Sequence, residues 1–196
     1  KPIAFPTGWL DEASGDFAQF RSSTSRQTRA SDVPLAADIQ HNIPVYDGNS
    51  VNKAAETPAA RRRLLTEWTA ILAHGPGILV IKQGVSDHNV IDQATSIFEH
   101  LIDTERAATG GGGDHFAKAG ANDRVWNALE KHCLNDPQNF ARYYAAHAIN
   151  MVAEAWLGPA YQMTAQVNRV NPGGAAQNPH RDYHLGFMTA AQATAF

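Results

Sequence analysis

The chain has 196 residues, 43% of them hydrophobic and 18% charged, with a formal net charge of −3. That balance supports one sizeable core and excludes wholesale disorder, and without a basic excess nucleic acid is not an expected partner. One cysteine, Cys133, leaves no internal disulfide and fits a reducing compartment, and the longest strongly apolar run, residues 78–81, is far too short for a bilayer, so a cytoplasmic, membrane-free setting is expected.

Residues 1–50 hold Pro2, Pro6, Pro34 and Pro44 and a Ser/Thr/Arg tract, with no persistent period. They are expected to form an irregular N-terminal arm with one short helix, held to the body by Phe5, Trp9, Phe17 and Phe20. Residues 51–196 are expected to belong to a single domain. Thr57-Pro58 opens a helix, with a hydroxyl N-cap and proline at the first helical position. Its apolar stripe is Leu64, Leu65, Trp68, Ile71 and Leu72, and Gly75 ends it. Arg61-Arg62-Arg63 has the charge of a phosphate patch, but three consecutive residues fan around a helix, so a solvated face is expected.

Residues 77–82 read as a short buried strand. Ser86 caps the next helix, whose stripe is Val90, Ile91, Ala94, Ile97, Phe98 and Leu101. The TGGGG run at 109–113 is too permissive for regular structure. No Gly-Lys-Ser/Thr follows it, so it is read as a flexible loop beside a site rather than a phosphate loop. Asn122 is expected to cap a helix carrying Val125, Trp126 and Leu129. Asp136-Pro137 opens a longer helix through Trp156, in which His147 reads as a satisfied, partly buried histidine. Helices come mostly first and strands after, the segregated order of an α+β protein.

The chemistry gathers in residues 161–187. Residues 161–170, YQMTAQVNRV, read as a strand with Tyr161, Met163, Ala165, Val167 and Arg169 on one face. Gln162, Thr164, Gln166, Asn168 and Val170 make a largely polar second face, which suits the lining of a site better than a dry core. Asn171-Pro172-Gly173-Gly174 breaks the chain, and Asn178-Pro179 leads into His180-Arg181-Asp182. On an extended chain His180 and Asp182 point the same way, about 7 Å apart. An imidazole and a carboxylate so placed, with a distant histidine, make the facial triad of non-haem Fe(II) oxygenases. His184 is about 13 Å from His180 along a strand, whereas metal–ligand bonds are roughly 2 Å, so it is not the third ligand.

This run, residues 166–187, resembles the phytanoyl-CoA dioxygenase family, and the resemblance extends back to about Ile78. It implies an α+β fold in which a helical N-terminal part leads into the first strands of a double-stranded β-helix, or jelly roll. It implies Fe(II) as cofactor and 2-oxoglutarate as co-substrate, with His180 and Asp182 as metal ligands. Gln166 falls where the family often places a residue beside 2-oxoglutarate, and Lys118 is similar to a lysine that some members use near the co-substrate. A second histidine and a carboxylate-binding arginine belong on later strands. Only fourteen residues follow Asp182, so the chain is expected to be the N-terminal portion of an oxygenase domain, inactive alone. The implied reaction hydroxylates a small organic substrate while 2-oxoglutarate is decarboxylated to succinate and CO2. Asp182 disfavours the halogenating variant, in which a small residue takes that place.

Three rival readings compete. His180-Arg181-Asp182 also spells a protein-kinase catalytic loop, but that motif needs asparagine where Phe187 stands. A zinc hydrolase needs further ligands, and no His-Glu-x-x-His occurs. The third is a catalytically inactive jelly-roll-like binding module, in which His180 and Asp182 merely satisfy each other's hydrogen bonds.

Overall fold

The computed structural model describes residues 16–109 and 121–174. The chain divides into two compact units, the larger spanning Gln27–Ala175. In the smaller unit the described part is residues 16–26, with helix α1 over Phe17–Thr24. Phe17 and Phe20 are 75% and 62% exposed, and Phe5 and Trp9 lie outside the described residues.

The larger unit contains a hairpin that the sequence reading misses. Strands β1 (Asp38–Gln40) and β2 (Ile43–Asp47) pair antiparallel, with Gln40 facing Ile43. The two loop residues, His41 and Asn42, have φ of 48° and 74°, the left-handed pair that tight hairpins use. Thr28 secures the turn: its N–H donates to the Asn42 Oδ1 at 2.7 Å and its hydroxyl to the Asn42 carbonyl at 2.8 Å. Pro44 argues against a central strand. It is tolerated because β3 (Val80–Lys82) pairs with β2, in parallel, only from Val45 onward. β3 is the edge of the β1-β2-β3 sheet, which leaves Val80 exposed and corrects the expectation of a buried strand at residues 77–82.

Helix α2 (Gly48–Ala55) is capped by Asp47, and α3 (Pro58–His74) starts after Thr57 and ends at Gly75, as its sequence predicts. Leu64, Trp68 and Ile71 on α3 pack with Tyr46, Val51 and Met151 into the first core. The Trp68 and Tyr46 rings meet edge to face, 5.5 Å apart. On the same helix Glu67 is buried, accepting the Tyr46 hydroxyl at 2.6 Å and the Leu35 N–H at 3.1 Å. The arginine triple is not one solvated face. Arg61 is half-buried and donates to Asn150 at 2.9 Å and to Glu154, which ties α3 to α7 (His147–Leu157).

Helix α4 (His88–Thr109) buries Val90, Ala94, Phe98 and Ile102 at four-residue spacing, while Ile91 stays exposed. Residues 122–125, expected to be helical, form strand β4 (Asn122–Val125), paired with β5 (Val167–Val170). The pairing overrides the local helical pattern. Val125 and Ala128 join Ala94, Phe98 and Ile102 in a second core. After α5 (Ala128–Asn135), the long helix expected from Asp136 is broken into α6 (Pro137–Tyr144) and α7, with Ala145 and Ala146 between them. His147 opens α7 and is exposed, not partly buried. The unit mixes helix and strand, the content an α+β protein should have, but its strands interleave with helices rather than following them. Among the described residues no helix is long and apolar enough to cross a membrane.

Candidate functional site

The β4–β5 ladder is the described structure nearest in sequence to the expected metal ligands. Its register sets Asn122 against Val170, Asp123 against Arg169, Arg124 against Asn168 and Val125 against Val167. Ala128 continues it, its N–H donating to the Ala165 carbonyl at 3.1 Å. Because strand side chains alternate, Ala165, Val167 and Arg169 share one face with Asp123 and Val125. Ala165 and Val167 pack on the second core. Exposure alternates along residues 161–170, with the odd positions half-buried and Gln162, Thr164, Gln166, Asn168 and Val170 exposed. The two-faced reading of that stretch therefore agrees with the structure, although only its last four residues are strand.

On the inner face a charge cluster fixes the ladder to α4. The Asp123 carboxylate, with a side chain 6% exposed, takes a two-pronged hydrogen bond from Arg106 on α4, Nε to Oδ1 at 2.7 Å and Nη2 to Oδ2 at 2.8 Å. Arg169 adds Nε at 3.1 Å and Nη2 at 3.0 Å to Oδ2, and the Asn171 amide donates to the same oxygen at 2.9 Å. Burial pushes the Asp123 carboxyl up, but the bonds from Asn171, Arg169 and Arg106 and the Arg106 charge outweigh it and hold the group below the usual carboxylate range.

At the end of β5 the chain turns sharply. Asn171 N–H donates to the Ala121 carbonyl at 3.0 Å, and Gly174 N–H donates back to the Asn171 carbonyl at 2.8 Å. Pro172 precedes Gly173, whose φ is +84°; with the bond closing it, this is a type II turn. At Gly174 a Cβ would lie 2.5 Å from the Ala121 carbonyl oxygen, so the backbone approach demands glycine. The turn lies at the end of the ladder where β4 begins. Gln166 stands beyond the opposite end, next to Val167 and exposed. The ladder thus holds Ala121 beside residues 171–174 and sets Gln166 apart from them, about 13 Å from Val170 at strand rise.

Lys118, His180, Asp182 and His184 themselves lie outside the described residues. Among the described residues no group of three or more His, Cys, Asp and Glu side chains could hold a metal ion. Sequence reasoning overlooked Arg124. It is buried on the outer face, the face of Asn168 and Gln166, and its guanidinium lies 4.9 Å from the centre of the Trp126 ring. An Arg-x-Trp alternation was the available signal, and the helical reading of that segment hid it.

A family described as phytanoyl-CoA dioxygenase (PhyH) matches residues 73–195. Comparison with curated proteins gave no match, and comparison with solved structures gave none.

Proposed function

The chain belongs to the phytanoyl-CoA dioxygenase family, and on that premise we propose that it is the iron-site portion of an Fe(II)- and 2-oxoglutarate-dependent dioxygenase that hydroxylates a small organic substrate. The observation that carries the reading is the extent of the match: residues 73–195 contain Lys118, Gln166, His180 and Asp182 together. The jelly-roll architecture and the cytoplasmic setting belong to the same proposal.

The donor set suits ferrous iron, since a neutral imidazole and a carboxylate are the ligand types of the facial-triad oxygenases. His180 and Asp182 would hold the metal, with a further histidine completing the set. When bound, iron supplies the activation of O2 that couples 2-oxoglutarate decarboxylation to substrate oxidation. The remaining work falls to the protein. Asp182 as carboxylate fills a position that halogenation would need open, so hydroxylation is the preferred outcome. Gln166 donates a hydrogen bond to 2-oxoglutarate. Lys118 offsets charge on the far carboxylate of the co-substrate, a role in which an arginine is the main partner. Arg124 adds positive potential to the face that carries Gln166. The Asp123 cluster holds the ladder from which the metal-binding segment departs.

The test uses the full-length protein and its His180→Ala and Asp182→Ala variants. Each variant should lose Fe(II) binding and 2-oxoglutarate-dependent succinate formation while keeping the far-ultraviolet circular dichroism of the parent. Succinate formation undiminished in both variants sinks the assignment.

A further inference from the structure

A cleft lies outside the family-matched segment. With a volume of about 250 Å³, it opens between β2, α2 and α3, every lining residue falling between Leu35 and Leu64. Its inner wall is apolar: the Tyr46 ring, Val51 and Leu64 are buried there, with Ala54 and Ala60 beside them. An apolar cavity of about 150 Å³ holds benzene, so this one takes roughly ten non-hydrogen atoms.

The charges at the mouth decide the ligand's polarity. Arg63 lines the cleft, is exposed, and makes no ion pair or hydrogen bond among the described residues. Arg61 beside it is engaged with Glu154 and Asn150. Asp47, the acidic lining residue, already accepts from the Ser50 N–H at 2.9 Å and the Ser50 hydroxyl at 3.0 Å, so its charge serves the N-terminus of α2. Deeper in, the Tyr46 hydroxyl is already committed to Glu67, which leaves the ring as an apolar surface. An apolar wall and an unengaged guanidinium at the mouth together select an amphiphile with its acid outermost.

We propose that this cleft binds an aliphatic carboxylate of about eight to ten carbons, its chain against Tyr46, Val51 and Leu64 and its carboxylate on Arg63. The site is independent of the iron reading, because none of its residues lies within 73–195.

The test is calorimetric titration of the metal-free full chain with octanoate, octylamine and octanol. Octanoate should bind saturably at one site, octanol more weakly, and octylamine not at all. Arg63→Gln should weaken octanoate by about tenfold, the worth of a charge-assisted hydrogen bond. Arg62→Gln, which removes the same charge one position away, should leave it unchanged. Ala54→Phe, which fills the apolar end, should abolish binding of octanoate and octanol alike. The proposal is overturned if octanoate fails to bind, if octylamine binds as well, or if Arg62→Gln and Arg63→Gln act equally. Arg63 is exposed, so its glutamine variant decides the matter even if Ala54→Phe does not fold.

Discussion

Asp123 and Arg169 face each other directly across the β4–β5 ladder, and Arg106 reaches the same carboxylate from α4. One buried carboxylate therefore joins two strands distant in sequence to the longest helix described. Removing it leaves two guanidiniums and the Asn171 amide without their acceptor. Loss of one partner from a fully buried pair costs about 3–5 kcal/mol. Both arginine side chains are a third or more exposed and can rehydrate, so Asp123→Ala should destabilise by less, about 2–3 kcal/mol. Urea unfolding measures this, and a change within experimental error would show that the cluster is solvated rather than structural.

The same carboxylate sets an acid limb. Its folded-state pKa is depressed, so the folded state releases the proton more readily than the unfolded chain does. The stabilisation is present above the unfolded value of about 3.9 and is lost as pH falls through the lower folded value. The stability gap between the parent and Asp123→Asn should be constant from neutral pH down to about pH 5 and should narrow below about pH 4. A gap that widens on acidification would contradict the sign of the shift.

Gln166 is exposed on the outer face of residues 161–170, so its replacement should spare the fold and act on the co-substrate alone. A single hydrogen bond contributes about 0.5–1.5 kcal/mol, which for Gln166→Ala corresponds to a roughly two- to tenfold weaker apparent affinity for 2-oxoglutarate. The concentration dependence of succinate formation reads this directly. Unchanged affinity would move Gln166 out of the site.

Residues were legible in the sequence where local chemistry and tertiary context agree. Thr57-Pro58 and Gly75 bound α3 because a proline start and a glycine stop act through the backbone itself. The alternation of residues 161–170 is visible because one side of that segment packs on Phe98 and its neighbours. β4 was hidden because Asp123 and Arg124 are charged yet buried, and only Arg169, Arg106 and Trp126, brought from elsewhere or stacked alongside, make that tolerable. β2 was hidden by Pro44, whose cost disappears because β3 joins one residue later. The break between α6 and α7 falls at Ala145-Ala146, residues of high helix propensity that carry no stop signal. The outer, polar face of residues 161–170 is legible; Arg124 is not, because Asn122–Val125 carries a local helical pattern.

Asn139 offers the sharpest test of how the second core is held. It is buried, and its side-chain amide donates to the Val90 carbonyl at 3.0 Å in the first turn of α4. Its Oδ1 lies 2.7 Å from His132 Nε2 on α5. Because Oδ1 is an acceptor, His132 must carry a proton on Nε2. The His132 ring is fully buried against Phe98, Phe140, Tyr143 and Tyr144, so water cannot replace a lost partner. Asn139→Ala strands the His132 N–H, at about 1–3 kcal/mol, and removes a bond worth about 0.5–1.5 kcal/mol to the Val90 carbonyl, which keeps its helical partner. A total loss of roughly 2–4 kcal/mol is expected in urea unfolding. Asn139→Asp should cost at least as much, because it sets a carboxylate oxygen against the Val90 carbonyl. His132→Phe in the parent should be milder than Asn139→Ala: it strands only Oδ1, and a phenyl ring suits the surrounding aromatics. If His132→Phe proves the more damaging of the two, the imidazole holds the core by something other than its bond to Asn139.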